Sequence, residues 1–262
     1  MTLGWFGFSS IGIIGPAVAM VISHFIMALY LMFRLQFKQK IIKLTPCSFS
    51  LLSFKDIMKV GGGGLINSIT IAGTVAVVTA AVSKHGVEAL AGYGLGSRLE
   101  IIITPLVFGI GSVLTASVGI NVGAQQLPRA KMIAWTGAFI SFCVVGLLGA
   151  TVTIFPDIWL NNFESSTLIR DYATSYLIIV APFYCFFAAG QTLYFASQGL
   201  GKIFYPVVVG IIRLLSVSLI CLYVTFYDLS LNFVFYGVSF GLLATGLGLW
   251  ICMLGPDWKK QI

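Results

Sequence analysis

Long, uninterrupted apolar runs constrain this chain more than any other feature of its sequence. The run from Ile101 to Asn121 is long enough to cross a bilayer, which takes about 20 residues. With 58% hydrophobic and only 9% charged residues, the chain has far more apolar surface than a soluble core needs. The strands of a transmembrane β-barrel would appear as short segments in which apolar and polar residues alternate. The apolar runs here are long and continuous, which excludes that fold. The sequence therefore predicts an all-α polytopic membrane protein with about seven spans: Ile11–Phe33, Gly61–Ser83, Ile101–Asn121, Ile133–Phe155, Leu168–Gln198, Tyr205–Val224 and Phe233–Leu254.

The third span has the features of a helix that moves or lines a cavity. A proline and several glycines interrupt its apolar run. Arg98 and Glu100 lie just before that run, or inside the helix if the helix begins at Ala89. Kinks and charges within membrane helices are typical of transport paths and not of simple anchors. The fifth span is also interrupted by a proline, so the candidate hinges are Pro105, Pro182, Gly109 and Gly111.

Lysine and arginine residues are distributed unevenly between the connecting segments. Eleven lie in the segments on one side of the membrane, whereas the other side has only Lys84 and Arg170. Six of the eleven fall within Arg34–Lys59, which is therefore expected to be a cytoplasmic connector. By the positive-inside rule, the C-terminus is cytoplasmic and, with seven spans, the N-terminus is outside. The net charge of +7 is thus a signal of topology and not of nucleic-acid binding.

Glu100 is the strongest candidate for a functional residue. A carboxyl group inside a membrane protein is costly, so one that faces a cavity is a candidate proton or cation site. The alternative is that Glu100 and Arg98 lie at the outer interface and extend their side chains to the headgroups. Arg98 cannot pair with Glu100 within the helix, because residues two apart point to different faces. Arg213, deep in the sixth span, is expected to neutralise an acid or carbonyl groups more readily than to contact substrate.

Other polar residues of the spans have two interpretations. Asn67 and Thr70 share one helix face with Thr74, which suits a cavity wall or a helix contact equally well. The polar residues of the fifth span could line a cavity, although hydrogen bonds between helices would also explain them. The candidate substrate- or ion-coupling residues are Glu100, Arg98, Asn67, Thr70, Gln191, Tyr194, Gln198 and Arg213.

An intramembrane enzyme is the competing class of protein. Gly237–Gly241 matches the G-x-S-x-G pattern around Ser239. Both histidines, His24 and His85, precede this serine, and no later span supplies a base. A chance match is expected in a chain rich in glycine and serine, so no enzymatic activity is predicted. The five cysteines show no disulfide or metal spacing, and no cofactor or metal is predicted.

Several spaced motifs resemble the MATE (multidrug and toxic compound extrusion) family. The motifs similar to that family's eighth helix are Ala89–Tyr93, Ser97–Glu100, Pro105, Gly119–Ala124 and Arg129–Ala130. Those similar to the junction between its tenth and eleventh helices are Gln198–Lys202, Pro206 and Arg213. The resemblance extends from Gly61 to the C-terminus.

The resemblance implies one half of a two-lobed transporter, because MATE transporters have twelve helices in two six-helix lobes. Residues 1–33 would be an isolated first transmembrane helix, equivalent to the sixth helix of the family, and residues 34–60 the basic cytoplasmic inter-lobe linker. Residues 61–262 would be the C-terminal six-helix lobe, against which the first span packs loosely. The first five helices are missing, so the chain resembles a truncated transporter.

The resemblance also implies a function and its partners. Such a secondary active transporter extrudes organic compounds, cationic or amphipathic, across the cell membrane in antiport with H⁺ or Na⁺. Acids that some members carry in the seventh and tenth helices are absent here, apart from Asp171 near the outer end of the fifth span, which favours H⁺. The alternatives are a lipid-linked oligosaccharide flippase of the same superfamily, with more cationic residues in its cavity, and a half-lobe without activity of its own. The expected partners are small organic molecules, the bilayer and the missing N-terminal lobe, not nucleic acid.

Overall fold

The computed structural model describes residues 14–38, 50–163, 166–255 and 258, and all regular structure in these ranges is helical. Seven helical segments within them are long and apolar enough to span a membrane, which confirms the predicted fold class. The predicted start of the first span at Ile11, part of the predicted linker and the basic tail lie outside the described residues. The α-helices are α1 (Ile14–Phe33), α2 (Leu51–Ser83), α3 (Val87–Gly123), α4 (Leu127–Ile154), α5 (Pro156–Leu160), α6 (Thr167–Val180), α7 (Tyr184–Leu200), α8 (Phe204–Phe226) and α9 (Leu231–Leu254).

The chain divides into two compact units, one ending at Leu51 and the other beginning at Leu52. The first unit contains α1, in which Gly15 is the one buried residue. Most of its exposed side chains are apolar, as expected of a helix that faces lipid. The second unit contains the helices from α2 to α9. The predicted domain boundary at residue 60 stays a prediction.

Helix α2 begins at Leu51, well before the predicted start of its span at Gly61. The apolar, membrane-spanning part of this helix is Gly61–Ser83, as predicted. The helix continues into the more polar sequence before it, because backbone hydrogen bonding does not end where the apolar run ends, so the four consecutive glycines lie inside a helix. One of them, Gly63, allows a close contact with another helix, since an added Cβ atom there would overlap the side chain of Ile203.

Helix α3 is the longest element of the described chain, with 37 residues. At 1.5 Å per residue it measures about 56 Å, whereas the hydrocarbon core of a bilayer is about 30 Å thick. Because α3 begins at Val87, Arg98 and Glu100 lie inside it, which decides between the two predicted helix starts. Pro105 lies within α3 and does not end it.

Helix α7 is the core of the second unit, with 12 of its 17 residues buried. Small residues allow its neighbours to approach closely. A Cβ atom on Gly190 would lie 3.0 Å from the Cα atom of Gly246 in α9. Membrane helices pack through such small residues, because lipid provides no hydrophobic force to hold helices together. Helix α6 precedes α7 in the same predicted span, and a 3₁₀ turn, Ala181–Phe183, separates the two.

Candidate functional site

A cavity of about 80 Å³ lies within the second unit, between α2, α3, α6, α7, α8 and α9. A water molecule needs roughly 10–15 Å³ of such volume, so the cavity has room for several waters or for the polar end of an organic molecule. Most of its wall is apolar, with Ile71, Val75 and Phe187 among the lining residues. Its polar lining residues are Thr74, Tyr93, Glu100, Thr104, Tyr176, Tyr184 and Arg213.

Glu100 of α3 faces this cavity and is held by two tyrosines. The Tyr176 hydroxyl donates a hydrogen bond of 2.5 Å to Glu100 Oε1, and the Tyr184 hydroxyl donates one of 3.2 Å to the same oxygen. The 3₁₀ turn places Tyr176, in the last turns of α6, and Tyr184, the first residue of α7, on the same carboxylate. The structure thus places Glu100 in a cavity between helices.

Aromatic contacts fix the ring of Tyr176, and burial confines that of Tyr184. Tyr176 packs edge-on against Tyr93, with ring centroids 5.4 Å apart, and against Phe235, with centroids 5.2 Å apart. Tyr176 and Tyr184 are each about 1% exposed. Both buried hydroxyl groups find their hydrogen-bond partner in Glu100, as the hydroxyl group of a buried tyrosine usually requires.

Arg213 of α8 lines the same cavity. It is 4% exposed, and its Nε and Nη2 atoms have no hydrogen-bond partner among the described residues. The structure describes both Arg213 and Glu100, and no nitrogen of the arginine side chain lies within 4.0 Å of a carboxylate oxygen of the glutamate. Glu100, the acid that Arg213 could neutralise, therefore shares the cavity with Arg213 but does not form a direct ion pair with it.

Arg98 lies outside the cavity, although it is only two residues from Glu100. Its side chain is exposed, and its guanidinium carbon lies 5.5 Å from the ring centroid of Phe163. This position agrees with the different faces expected of residues two apart in a helix. The structure does not bring Arg98 to Glu100.

The candidates on α2 lie at a contact with α8. Asn67 and Thr70 are buried, and a Cβ atom on Gly210 of α8 would lie 3.0 Å from Thr70 Oγ1. The Thr70 hydroxyl donates to the carbonyl oxygen of Asn67 at 2.8 Å. Thr74, one turn further along the same face, lines the cavity. The shared face is therefore a helix contact at one end and a cavity wall at the other.

The candidates on α7 lie beyond the cavity residues on the same helix. The Tyr194 hydroxyl donates to the Gly63 carbonyl oxygen of α2 at 3.2 Å, and Gln198 Nε2 donates to the Tyr194 hydroxyl at 3.2 Å. Gln191 is 1% exposed, and its Nε2 atom has no partner among the described residues. Tyr194 and Gln198 thus join α7 to α2 and do not line the cavity.

The four candidate hinges have different surroundings. Pro182 lies in the 3₁₀ turn between α6 and α7, whereas the exposed Pro105 lies in a continuous helix. Gly111 packs against the ring of Phe195, and a Cβ atom on Gly109 would meet open space. Their role as hinges stays a prediction.

The serine of the G-x-S-x-G match is bound to backbone. Ser239 donates to the carbonyl oxygen of Ile179 at 2.9 Å, and its hydroxyl also lies 3.1 Å from the carbonyl oxygen of Phe235. His85 lies near a different carbonyl, with Nε2 3.1 Å from the Leu229 oxygen. The described residues therefore do not form a serine–histidine pair.

Tyr93, Tyr176 and Tyr184 are cavity residues that were not among the sequence candidates. Helical spacing could have predicted the first of these, because positions i, i+7 and i+11 of α3 lie on one face and hold Tyr93, Glu100 and Thr104. For Tyr176 and Tyr184 the signal was weaker, since they lie on two helices whose relative direction depends on the turn between them.

The chain matches a known family over most of the second unit. The MatE family model matches residues 65–224, which extend from α2 to α8. The chain belongs to the MatE family. This MatE chain is 25% identical over 266 residues to the probable multidrug resistance protein NorM of Thermotoga maritima, covering 100% of the chain and 57% of that relative. It is 24% identical over 225 residues to the probable multidrug resistance protein YoeA of Bacillus subtilis, covering 83% of the chain and 48% of that relative.

Solved structures share the fold of this MatE chain. A MOP superfamily transporter from Pyrococcus furiosus superimposes with a TM-score of 0.83 at 20% identity, over 98% of this chain and 58% of the other. The MATE transporter ClbM, solved in complex with Rb⁺, gives a TM-score of 0.79 at 22% identity, over 94% and 55%. This MatE chain thus spans about half the length of the relatives it matches.

Proposed function

We propose that this MatE chain acts as the C-terminal lobe of a secondary active transporter, which extrudes organic compounds, cationic or amphipathic, in exchange for protons. The observation that carries the proposal is Glu100, an interior carboxylate in a cavity large enough for a polar group. Ionisable residues at such depth are expensive and are typical of proton and ion pathways. The names of the two multidrug resistance relatives support the same class of substrate.

Glu100 couples the two ligands by competition. As a carboxylate, it attracts an organic cation and accepts hydrogen bonds from Tyr176 and Tyr184. Once protonated, it no longer attracts the cation, so a proton arriving from outside releases the substrate there. Deprotonation towards the cytoplasm restores the binding site. One carboxylate is sufficient for exchange, provided that the lobe exposes it to each side in turn.

Protons fit the lining better than Na⁺ does. A hard cation takes several oxygen ligands, from carboxylates, carbonyl groups and waters. Glu100 is the one acid among the described residues that line the cavity. Asp171, the other acid considered from the sequence, is exposed and does not line it. The arrangement therefore favours a proton as the coupling ion.

The α6–α7 connection provides the conformational element. Pro182 has no backbone N–H group and therefore cannot donate the hydrogen bond that a continuous helix would require at its position. The break lies between Tyr176 and Tyr184, the two donors to Glu100. A change of angle at this break alters the surroundings of the carboxylate, which links its protonation to the shape of the lobe.

Efflux by a Glu100→Gln variant tests the proposal. The chain is co-expressed with the part of the Thermotoga maritima relative that it does not match, and everted vesicles are assayed for proton-driven uptake of ethidium. Glutamine keeps the shape of the side chain but can neither bind nor release the proton. We expect at least a tenfold loss of uptake at equal membrane abundance.

The matched control is Glu88→Gln, an exposed glutamate in the first turn of the same helix, which should transport like the wild type. Unchanged uptake and unchanged pH dependence in Glu100→Gln would contradict the role of Glu100. Absence of uptake by the wild-type pair would contradict the transport function itself.

A further inference from the structure

A row of polar side chains extends from the cavity along α7 towards the C-terminal end of that helix. Tyr184 and Phe187 line the cavity. Gln191, Tyr194 and Gln198 follow at positions i+7, i+10 and i+14 from Tyr184. In an α-helix these positions lie on one face. The polar surface of the cavity therefore continues beyond the cavity itself.

Helix α2 carries a matching row. Counted back from the cavity residue Thr74, the row occupies positions i−4, i−7 and i−11 of one helix face, which are Thr70, Asn67 and Gly63. On each helix the row covers 11 residues beyond the cavity, a rise of about 16 Å. The rows meet at their far ends, where the Tyr194 hydroxyl donates to the Gly63 carbonyl oxygen. We call the space between the two rows the polar gap.

Gln191 lies in the middle of the polar gap with an unsatisfied donor. Its side chain is 1% exposed, and its Nε2 atom has no hydrogen-bond partner among the described residues. Thr70 lies at the same distance from the cavity on α2, and its hydroxyl donates to the Asn67 carbonyl oxygen. The oxygen of a donating hydroxyl can still accept. Because a buried amide without an acceptor is costly, a water molecule that accepts from Gln191 and donates to Thr70 is favoured here.

We propose that water molecules in the polar gap conduct the proton that leaves Glu100 towards the Gln198 end of α7, and that Gln191 holds the central water. This inference rests on the proposed exchange of substrate for protons and specifies the path of the proton. Each transfer between oxygens breaks one O–H bond and forms another. The net change is a carboxylate at Glu100 and a hydrated proton on the side predicted to be cytoplasmic. Gln191 does not carry the proton and is a positioning residue.

Tyr194 interrupts the path in this structure. Its hydroxyl donates its one proton to the Gly63 carbonyl oxygen and accepts from Gln198 Nε2. A carbonyl oxygen has no proton to pass on, so transfer to the far end requires α2 and α7 to separate there. Within the described residues, the backbone of α2 packs less closely against other helices than that of α7 does. Contact between the two helices thus closes the path and prevents a continuous proton leak.

X-ray hydroxyl-radical footprinting of the 262-residue chain in lipid nanodiscs detects the waters, because radicals formed from a bound water oxidise the side chain beside it. Tyr194 is 2% exposed, and Phe235, a ring that lines neither the cavity nor the polar gap, is 0% exposed. We expect Tyr194 to be oxidised at least fivefold faster than Phe235. Gln191→Leu removes the amide and should slow the oxidation of Tyr194 at least fivefold.

The matched control is Thr192→Val, at the next residue of α7. Thr192 is equally buried, but its hydroxyl lies 2.8 Å from the Ser141 hydroxyl of α4 and not in the polar gap. In this variant Tyr194 should be oxidised at the wild-type rate. Asn67→Leu removes an amide from the α2 side of the polar gap; it should act like Gln191→Leu and serves if that variant does not fold.

Proton-driven ethidium uptake by the co-expressed pair tests whether these waters carry the proton. Gln191→Leu should lower the maximal rate of uptake at least fivefold. The ethidium concentration that gives half of this rate should stay unchanged, because Gln191 does not line the cavity. A merely structural role of Gln191 would instead raise that concentration or lower the amount of folded protein in the membrane.

Three results would overturn the inference: oxidation of Tyr194 as slow as that of Phe235, unchanged oxidation in a folded Gln191→Leu variant, or an unchanged maximal rate of uptake in that variant. Uptake that requires Glu100 but occurs without water beside Tyr194 refutes only the proton path. Absence of uptake by the wild-type pair refutes the proposed function and, with it, the path.

Discussion

At the scale of single residues, the cavity is built to keep one carboxylate inside a membrane protein. Glu100 gains two hydroxyl donors, and Tyr176 provides the shorter of the two hydrogen bonds. Donors to a charged acceptor are worth more than donors to a neutral one. The two tyrosines therefore offset much of the cost of burying the charge and hold it in the cavity.

Tyr176→Phe tests this support. The substitution keeps the ring and its contacts with Tyr93 and Phe235 but removes the shorter hydrogen bond. We expect the unfolding free energy to fall by about 1–3 kcal/mol, the cost of leaving a buried polar group without its partner. Thermal melting in detergent measures the change. Tyr223→Phe, at an exposed tyrosine of α8, should melt like the wild type; equal melting of Tyr176→Phe would show that the hydroxyl contributes nothing.

The sequence was sufficient to find the charged residues of the site but not their partners. Glu100 and Arg213 stand out because charges are rare in apolar runs, and that signal is local. Tyr176 and Tyr184 become relevant only because the α6–α7 turn directs both at α3, which no local pattern encodes. Conversely, Tyr194 and Gln198 have cavity-like residue types, but their partners are Gly63 and each other.

At the scale of elements, hydropathy predicted where the spans lie but not where the helices begin. Helices α2 and α3 both extend into more polar sequence, because their hydrogen-bonded ladders do not stop where the apolar run stops. Which faces pack together depended on small residues at crossings. These positions are visible in the sequence as glycines, but their partners on other helices are not.

Gly190→Leu tests the central crossing of the second unit. Its new side chain has no space, because a Cβ atom alone would already lie 3.0 Å from the Gly246 Cα atom and the Thr245 carbonyl oxygen. We expect a loss of about 1–3 kcal/mol or more from overpacking, measured as a lower melting temperature. The same substitution at Gly94, where a Cβ atom meets open space, is the control. Equal melting of the two variants would contradict the close contact of α7 and α9.

At the scale of the whole molecule, the basic residues predict the orientation. The eleven-to-two distribution is a property of the full sequence and predicts a cytoplasmic C-terminus in the cell membrane. The relatives are nearly twice as long as this chain, which agrees with the proposal that an N-terminal lobe completes the transport path. The proposed transport depends on both the orientation of the chain and the N-terminal lobe, since it requires the cavity to open to each side in turn.

Cysteine labelling tests the orientation. A Lys260→Cys substitution, introduced after the native cysteines are replaced, should be protected from a membrane-impermeant maleimide in intact cells and react once the membrane is permeabilised. The matched control is Lys84→Cys, between α2 and α3, which is predicted to lie outside and should react in intact cells. The reverse pattern would contradict the predicted topology.

Proton release on ligand binding tests the central role of Glu100 most directly. An organic cation is added to the chain in lipid nanodiscs in weakly buffered solution, and a pH indicator follows the protons released. Competition at Glu100 predicts that the wild type releases protons as the cation binds and that Glu100→Gln releases none, even at concentrations at which it still binds the cation. Equal proton release by the two proteins, or cation binding by the wild type without proton release at any pH, would contradict the account.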